Sequence, residues 1–334
     1  MRLFLIFWLL GCLFVEAPEH ISVRSFRIMG FAQGTSYQIT YYAKEQHVNK
    51  PEIQQILNSI DSSLSIYKSY SLISQFNRSA TGLTIDQHLK KVVEKSIEIS
   101  NQTGGAFEIT IQPLVQAWGL GTEPIAAIPD SAQVQSLLKC VGTEKVQLKK
   151  DYLKKKSPCV RLDVNGIAQG YTVDVLAEYL EAKGINHYLV ELGGEIRIKG
   201  RKQPGGELMA IGIEAPTEDG EQAFPIQTII RPAYGAVTTS GDYRKYLETG
   251  SGKLSHLINP KSGFPFQNEM ISATVWAKDA ITADGYDNAM MGMGMEKALE
   301  FAEKKENLEA YFIYRQASGS VADTATTGFY KLMK

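Results

Sequence analysis

Apolar and polar positions alternate along RSFRIMGFAQGTSYQITYYA, residues 24–43, with a break at Gly34. A two-residue period interrupted in this way predicts a β-hairpin. The period then lengthens. Over residues 51–64, Ile53, Ile56, Leu57, Ile60 and Leu64 recur at helical spacing and share one face. A second helical pattern, TIDQHLKKVVEKSIEISNQTGG, turns Leu89, Val92, Val93 and Ile97 inward and is stopped by Gly104 and Gly105. AFEITIQPLVQAWGLG is mixed in period and closes on glycines. From Val160 the order becomes strand, glycine turn, helix over residues 172–183 ended by Gly184, strand HYLVEL, a Gly193-Gly194 turn and strand EIRIKG. Strand-like runs LMAIGIEA, FPIQTII, AYGAVTTSG and ISATVWA come next, and a helix opens at Thr282. This is an α+β order rather than a regular βαβ alternation. No internal repeat and no Pro-, Gly- or Ser-rich linker divides it.

Composition narrows the class. The 334 residues are 44% hydrophobic and 21% charged with a net charge of -1, so the chain buries a large core and is neither disordered nor fibrous. Its 35 basic and 36 acidic side chains leave no basic excess, which excludes the electrostatic footprint of a nucleic-acid binder. KKDYLKKK, residues 149–156, reads as a solvated loop. At the N-terminus Arg2 precedes the apolar run LFLIFWLL, then Gly11 and Cys12; the run is too short to cross a bilayer and has the shape of a secretory signal. Leu9-Leu10-Gly11-Cys12 resembles a bacterial lipobox, with Cys12 as the lipid-bearing first mature residue. The expected organisation is a signal over residues 1–11, a tether over 12–25 and one folded body over 26–334; an ordinary signal peptide or a buried first strand is the alternative. Cys140 and Cys159 would remain in the body. An exported protein could pair them, and spacing alone does not decide it.

Several stretches carry candidate chemistry. RLDVNGIAQGYTVD, residues 161–174, places Asp163 before Gly166 and Gly170 and a helix, yet it fits neither G-x-G-x-x-G nor G-x-x-x-x-G-K-[ST]. Alone, it is compatible with a mere tight turn. TTSGDYRKY, residues 238–246, clusters hydroxyls, and SHLINPKSGFP, residues 255–265, sets His256 before a polar, glycine-bearing loop of the kind that presents catalytic groups. In TADGYDNAMMGMG, residues 282–294, Thr282 as N-cap puts Asp284 in the first helical turn and Asn288 one turn further on the same face. A carboxylate and an amide oxygen stacked in this way suit a hard cation such as Mg²⁺. The plainer alternative is that Asp284 complements the helix dipole.

In combination these stretches resemble the ApbE family of FAD:protein FMN transferases. The resemblance runs in order over residues 29–330: MGFAQGTSY, SIYKSYSLISQFN, TGGAFEITIQPLVQAWGLG, LDVNGIAQGYTVD, SHLINPKSGFP and TADGYDNAMMGMG each resemble a family element. It implies one compact α+β body with mixed or antiparallel sheets, flanking helices and a flavin cleft between two closely packed subdomains. It also implies roles. Gly166, through its carbonyl, would hold Mg²⁺ together with Asp284 and Asn288. Met29, Tyr67, Ala106, Phe107, Glu108, Asp163, Gln169 and Ile258 would contact FAD, and His256 would assist the chemistry. The implied reaction moves FMN from FAD onto a Thr or Ser hydroxyl of an exported acceptor, either a subunit of a membrane redox complex or a small FMN-binding domain, and releases AMP. The chain would then be lipid-anchored to a bacterial membrane, on its periplasmic face or at the cell surface. An FAD pyrophosphatase and a non-catalytic flavin-binding lipoprotein are the alternatives. Three positions depart from the family pattern: Asn288 stands for Thr, Glu108 for Asp and Gln169 for Lys.

Overall fold

The computed structural model describes residues 22–216, 225–241, 246–249 and 252–333. Cys12 and residues 242–245 of the hydroxyl-rich stretch lie outside them. The first half of the chain runs β1 (Arg24–Ala32), β2 (Thr35–Ala43), α1 (Lys50–Leu64), α2 (Leu72–Arg78), β3 (Gly82–Thr84), α3 (Gln87–Gln102), α4 (Gln112–Ala117), α5 (Ser131–Leu138), β4 (Val146–Lys149) and β5 (Tyr152–Lys155). It continues through α6 (Ala168–Ala182), β6 (Tyr188–Leu192), β7 (Glu195–Lys199), β8 (Ile211–Glu214), β9 (Ile226–Ile230) and β10 (Tyr234–Gly241). The chain then completes β11 (Tyr246–Thr249), β12 (Gly252–Ser255), β13 (Met270–Ala277), α7 (Ala280–Met293), α8 (Met295–Glu303), β14 (Leu308–Arg315), β15 (Val321–Ala325) and α9 (Phe329–Leu332).

Eight strands form one sheet in the order β1-β2-β6-β7-β10-β13-β14-β15, with antiparallel pairing at every step. Both faces are covered, and the side-chain period of two divides each strand between them. On β14, Ala310 and Phe312 join the core under α3 and α7, whereas Tyr311 and Ile313 join the opposite one with Trp276, Ile211, Ile230 and Phe329. Double coverage explains why ISATVWA is buried along nearly its whole length, Ser272 and Thr274 included, instead of alternating. The β1–β2 turn is Gln33 and Gly34, with φ of 51° and 79°, the left-handed pair that a two-residue hairpin requires. Asn49 and Glu52 form a capping box at the start of α1, and Asp86 caps α3.

Three expectations are corrected. Residues 149–155 span the end of β4, the turn and β5 rather than a loop, and Lys155 is buried with its amine 4.6 Å from the Phe76 ring centre. The helix expected over residues 172–183 starts earlier, at Ala168, so Gly170 lies inside it. The N-cap of α7 is Asp279, whose Oδ1 accepts from Thr282 N–H at 3.0 Å, so Asp284 is a buried second-turn residue and not a first-turn one. Thr282 and Asp279 are both good caps three residues apart, and the competition is settled by where the strand ends.

Candidate active site

The site begins where α6 meets α7. A Cβ on Gly170 would stand 2.4 Å from the Ala280 carbonyl oxygen and 2.6 Å from Asp284 Cβ, so this helix crossing requires glycine. Gly170 N–H, in the first turn of α6, has no partner within its own helix and donates to Asp284 Oδ2 at 2.8 Å. The opposite exchange also occurs. Asp174 on α6 accepts from Ala280 N–H at 2.9 Å and Ile281 N–H at 2.8 Å, the first two residues of α7. Each helix therefore supplies the anion that completes the other's N-terminus.

One turn past Asp284, the Asn288 amide nitrogen lies 3.2 Å from Gly166 O, 3.1 Å from Asp284 O, 3.4 Å from Asp284 Oδ1 and 3.1 Å from Asp287 Oδ1. An amide NH₂ carries two protons and so cannot satisfy all these oxygens. Rotating the amide presents Oδ1 instead, leaving a set of backbone, amide and carboxylate oxygens around one point, which is the donor chemistry of Mg²⁺. Gly166 is needed here as well, because a Cβ would come 3.1 Å from Asn288 Cγ. Burial pushes the Asp284 carboxyl upward and its neighbour Asp174 adds to the rise, against the Gly170 N–H. Burial likewise raises Asp287, with repulsion from Asp284 added and the Ser240 hydroxyl, 2.8 Å away, pulling back. A bound cation removes that penalty, so the residues fit the metal the resemblance implies. Asp287 was not singled out in the sequence; its signal was its place three residues after Asp284 and next to Asn288. Among the described residues no group of three or more His, Cys, Asp or Glu side chains is placed to hold a metal; this site draws on carbonyl and amide oxygens as well.

A cavity of ≈ 240 Å³ opens beside these oxygens, lined by Ala106, Phe107, Glu108, Asp163, Gly166, His256, Ile258 and Asn288, so most of the expected residues converge. Asp163 is held by its backbone: its N–H donates to Ile109 O at 2.7 Å, and Asn77 brackets the preceding Leu162 with bonds of 2.7 and 2.8 Å. Burial pushes the Asp163 carboxyl to about 6. Its Oδ1 accepts from Asn165 N–H at 2.9 Å, and Asn165 Nδ2 reaches the Tyr67 hydroxyl at 3.4 Å, which ties the exposed Tyr67 to this rim. The Glu108 carboxylate faces inward, accepting from Thr110 N–H and hydroxyl, both at 2.8 Å, and from Thr143 N–H at 2.9 Å. His256 stands at the start of a hairpin closed by an Ile258–Pro265 bridge, and Trp118 Nε1 at the end of α4 donates to Gly263 O at 2.8 Å to fasten it. The cysteine question is answered: Cys140 and Cys159 are disulfide-bonded. Tyr67 stands at the rim rather than in the lining, and three further expected residues lie off this cavity. Met29 is exposed on edge strand β1, Gln169 lies beside the Gly193 turn, and Asp284 is buried behind Asn288.

The doubly covered antiparallel sheet with its flanking helices agrees with the comparisons. The chain belongs to the ApbE family, whose model matches residues 33–312. It is 36% identical over 318 residues to the FAD:protein FMN transferase of Haemophilus influenzae, covering 91% of this chain and 90% of that one. It is 34% identical over 305 residues to the FAD:protein FMN transferase of Vibrio cholerae, covering 89% and 88%. The flavin transferase ApbE from Vibrio cholerae superposes with a TM-score of 0.82 at 31% identity, over 93% of this chain and 99% of that one. The apo flavinyl transferase ApbE of Pseudomonas stutzeri superposes at 0.84, also at 31% identity, over 93% of this chain and 98% of that one.

Proposed function

We propose that this chain is a Mg²⁺-dependent FAD:protein FMN transferase. The observation that carries this is the convergence of Gly166 O, Asp284, Asp287 and Asn288 on one point at the edge of a cavity that also holds His256 and Asp163. Gly166, Asp284, Asp287 and Asn288 would hold the metal, which when bound neutralises charge on the FAD pyrophosphate. Phe107 and Ile258 give the cavity apolar walls suited to a flat ring system. His256 would take the proton from the acceptor hydroxyl as its oxygen attacks the phosphorus on the riboflavin side. A new oxygen–phosphorus ester forms, the bridging bond of the pyrophosphate breaks, and AMP leaves with the bridging oxygen. The acceptor is a Thr- or Ser-bearing exported protein. The lipobox-like sequence at Cys12 supports a lipid anchor that keeps the enzyme at a bacterial membrane surface, in an oxidising compartment consistent with the disulfide.

The test is incubation with FAD, Mg²⁺ and a candidate exported acceptor, followed by mass spectrometry. An FMN adduct on a hydroxyl side chain with stoichiometric AMP is expected. FMN and AMP without adduct would identify a pyrophosphatase, and unchanged FAD would identify a flavin-binding protein without catalysis.

A further inference from the structure

We propose that Asp174 is a positioning residue for the metal site, acting as a latch that sets the rotation of α7; this rests on the metal-binding role given above for Gly166, Asp284, Asp287 and Asn288. Asp174 lies off the flavin cavity, and its hydrogen bonds and ion pair go to groups other than the candidate ligand side chains. Its two oxygens accept separately from the N–H groups of Ala280 and Ile281, at 2.9 and 2.8 Å. Two bonds to consecutive amides fix a helix start in azimuth as well as height, which a single bond does not. Arg197 on β7 completes the latch: its Nε lies 3.6 Å from Asp174 Oδ1, and its Nη1 donates to the Lys278 carbonyl just before the α7 N-cap.

The direction α7 faces is what the site depends on. Asp284, Asp287 and Asn288 all project from the two turns beyond this start, and Gly170 leaves no slack because Asp284 Cβ lies against it. A rotation of about 100° separates adjacent helical residues, so a small turn of the helix about its axis draws Asp284 Oδ1 and Asn288 away from the Gly166 carbonyl together. The Asp279 N-cap accepts from Thr282 N–H within α7, a bond that does not orient the helix relative to α6. Asp174 supplies it from the element that also carries the Gly166 turn.

Mg²⁺ is titrated calorimetrically into the purified full-length protein without FAD, and exchange of the residue 279–284 amides is followed by mass spectrometry. Asp174→Asn keeps one good acceptor and is expected to weaken Mg²⁺ binding about tenfold, the size usual for residues that orient a metal ligand. Faster exchange at the start of α7 accompanies it. Asp174→Glu retains the charge but shifts both oxygens, and is expected to weaken Mg²⁺ binding about threefold or more. At saturating Mg²⁺ the turnover of Asp174→Asn stays within about threefold of wild type, while the Mg²⁺ concentration for half-maximal activity rises about tenfold. Val173→Ala, which removes buried volume from the adjacent position on α6, is the control and leaves Mg²⁺ affinity unchanged. Wild-type Mg²⁺ affinity in Asp174→Asn overturns the proposal. A wild-type affinity in Asp174→Glu alone also overturns it, by showing that only charge matters. If Asp174→Asn does not fold, Arg197→Gln is titrated instead, with weaker binding expected and unchanged affinity overturning the latch. A wild-type protein that takes up no Mg²⁺ overturns the metal site itself, and the latch with it.

Discussion

The two sides of the cavity are held in place by different means. On the side proposed to hold the metal, α6 and α7 meet through backbone contacts with no room to spare: Gly170 against Ala280 and Asp284, and reciprocal capping by Asp174 and Asp284. On the other side, the His256 hairpin and the segment after α3 are fastened at isolated points, by the Trp118–Gly263 bond, the Glu108 network and the Cys140–Cys159 disulfide. The first arrangement fixes position without tolerance. The second fixes an outline and leaves small displacements cheap. That is the division expected if one wall holds charge in place and the other receives flavins and polypeptides of varying shape.

Substitutions can break or sharpen this contrast. The largest effect is expected at Asp284, where Asp284→Ala should lower Mg²⁺-dependent turnover by about a thousandfold, since it removes a ligand from charge-stabilised phosphoryl transfer. Appreciable turnover in that variant after chelator treatment would end the metal assignment. Gly170→Ala should approach the same loss and also destabilise the fold by roughly 1–3 kcal/mol through overpacking, measurable by chemical denaturation. His256→Ala should lower turnover about a hundredfold or more, as for a lost general base, with FAD affinity by fluorescence quenching nearly unchanged. The reverse pattern, weak binding with normal turnover, would contradict its role. On the tolerant wall, replacing both cysteines by serine should cost about 3 kcal/mol of stability, given the residue separation of 19. Assayed at low temperature, its effect on turnover should stay within about threefold, well below that of the metal-side variants.

The smallest expected effect is on pH dependence. Burial raises Asp163 to about 6 and also raises Asp284, Asp287 and Glu108. An acid raised in the folded state binds more protons there than when unfolded, so its contribution to stability is largest below the unfolded value of about 4 and is lost as pH rises through the folded value. The melting temperature of chelator-treated protein should therefore fall by roughly 2–4 °C between about pH 5 and pH 7. Mg²⁺ should offset most of the fall. An equal fall with and without Mg²⁺ would show that the buried carboxylates are relieved by something other than metal.

Much of this was legible in the chain because it is local or repeats a known order. The β1–β2 hairpin follows from alternation and the break at Gly34, α1 and α3 from the spacing of their apolar residues, and the stretches that meet at the cavity from the family motifs. Much of the rest could not be read because it depends on partners more than a hundred positions away. Residues 166–170 look like a turn because Gly166 and Gly170 interrupt the apolar pattern, and the contact with α7 makes Gly170 a helical residue. Asp174 resembles any surface acid until Ala280 and Ile281 are placed against it. Glu108 lines the cavity, and what the motif does not reveal is that its carboxylate is engaged by Thr110 and Thr143.

The spacing of the two glycines has a counterpart. Gly166 accommodates Asn288 and Gly170 accommodates Asp284, so an interval of four on one segment is answered by an interval of four, in reverse, on the other. Such matched notches work like a ratchet with one seat. A single residue inserted between either pair would turn the remainder of the helix by about 100°, and neither contact could then be kept by sliding along the other helix. Length variation in this protein is therefore to be accommodated elsewhere, in its loops, while these two intervals stay fixed together.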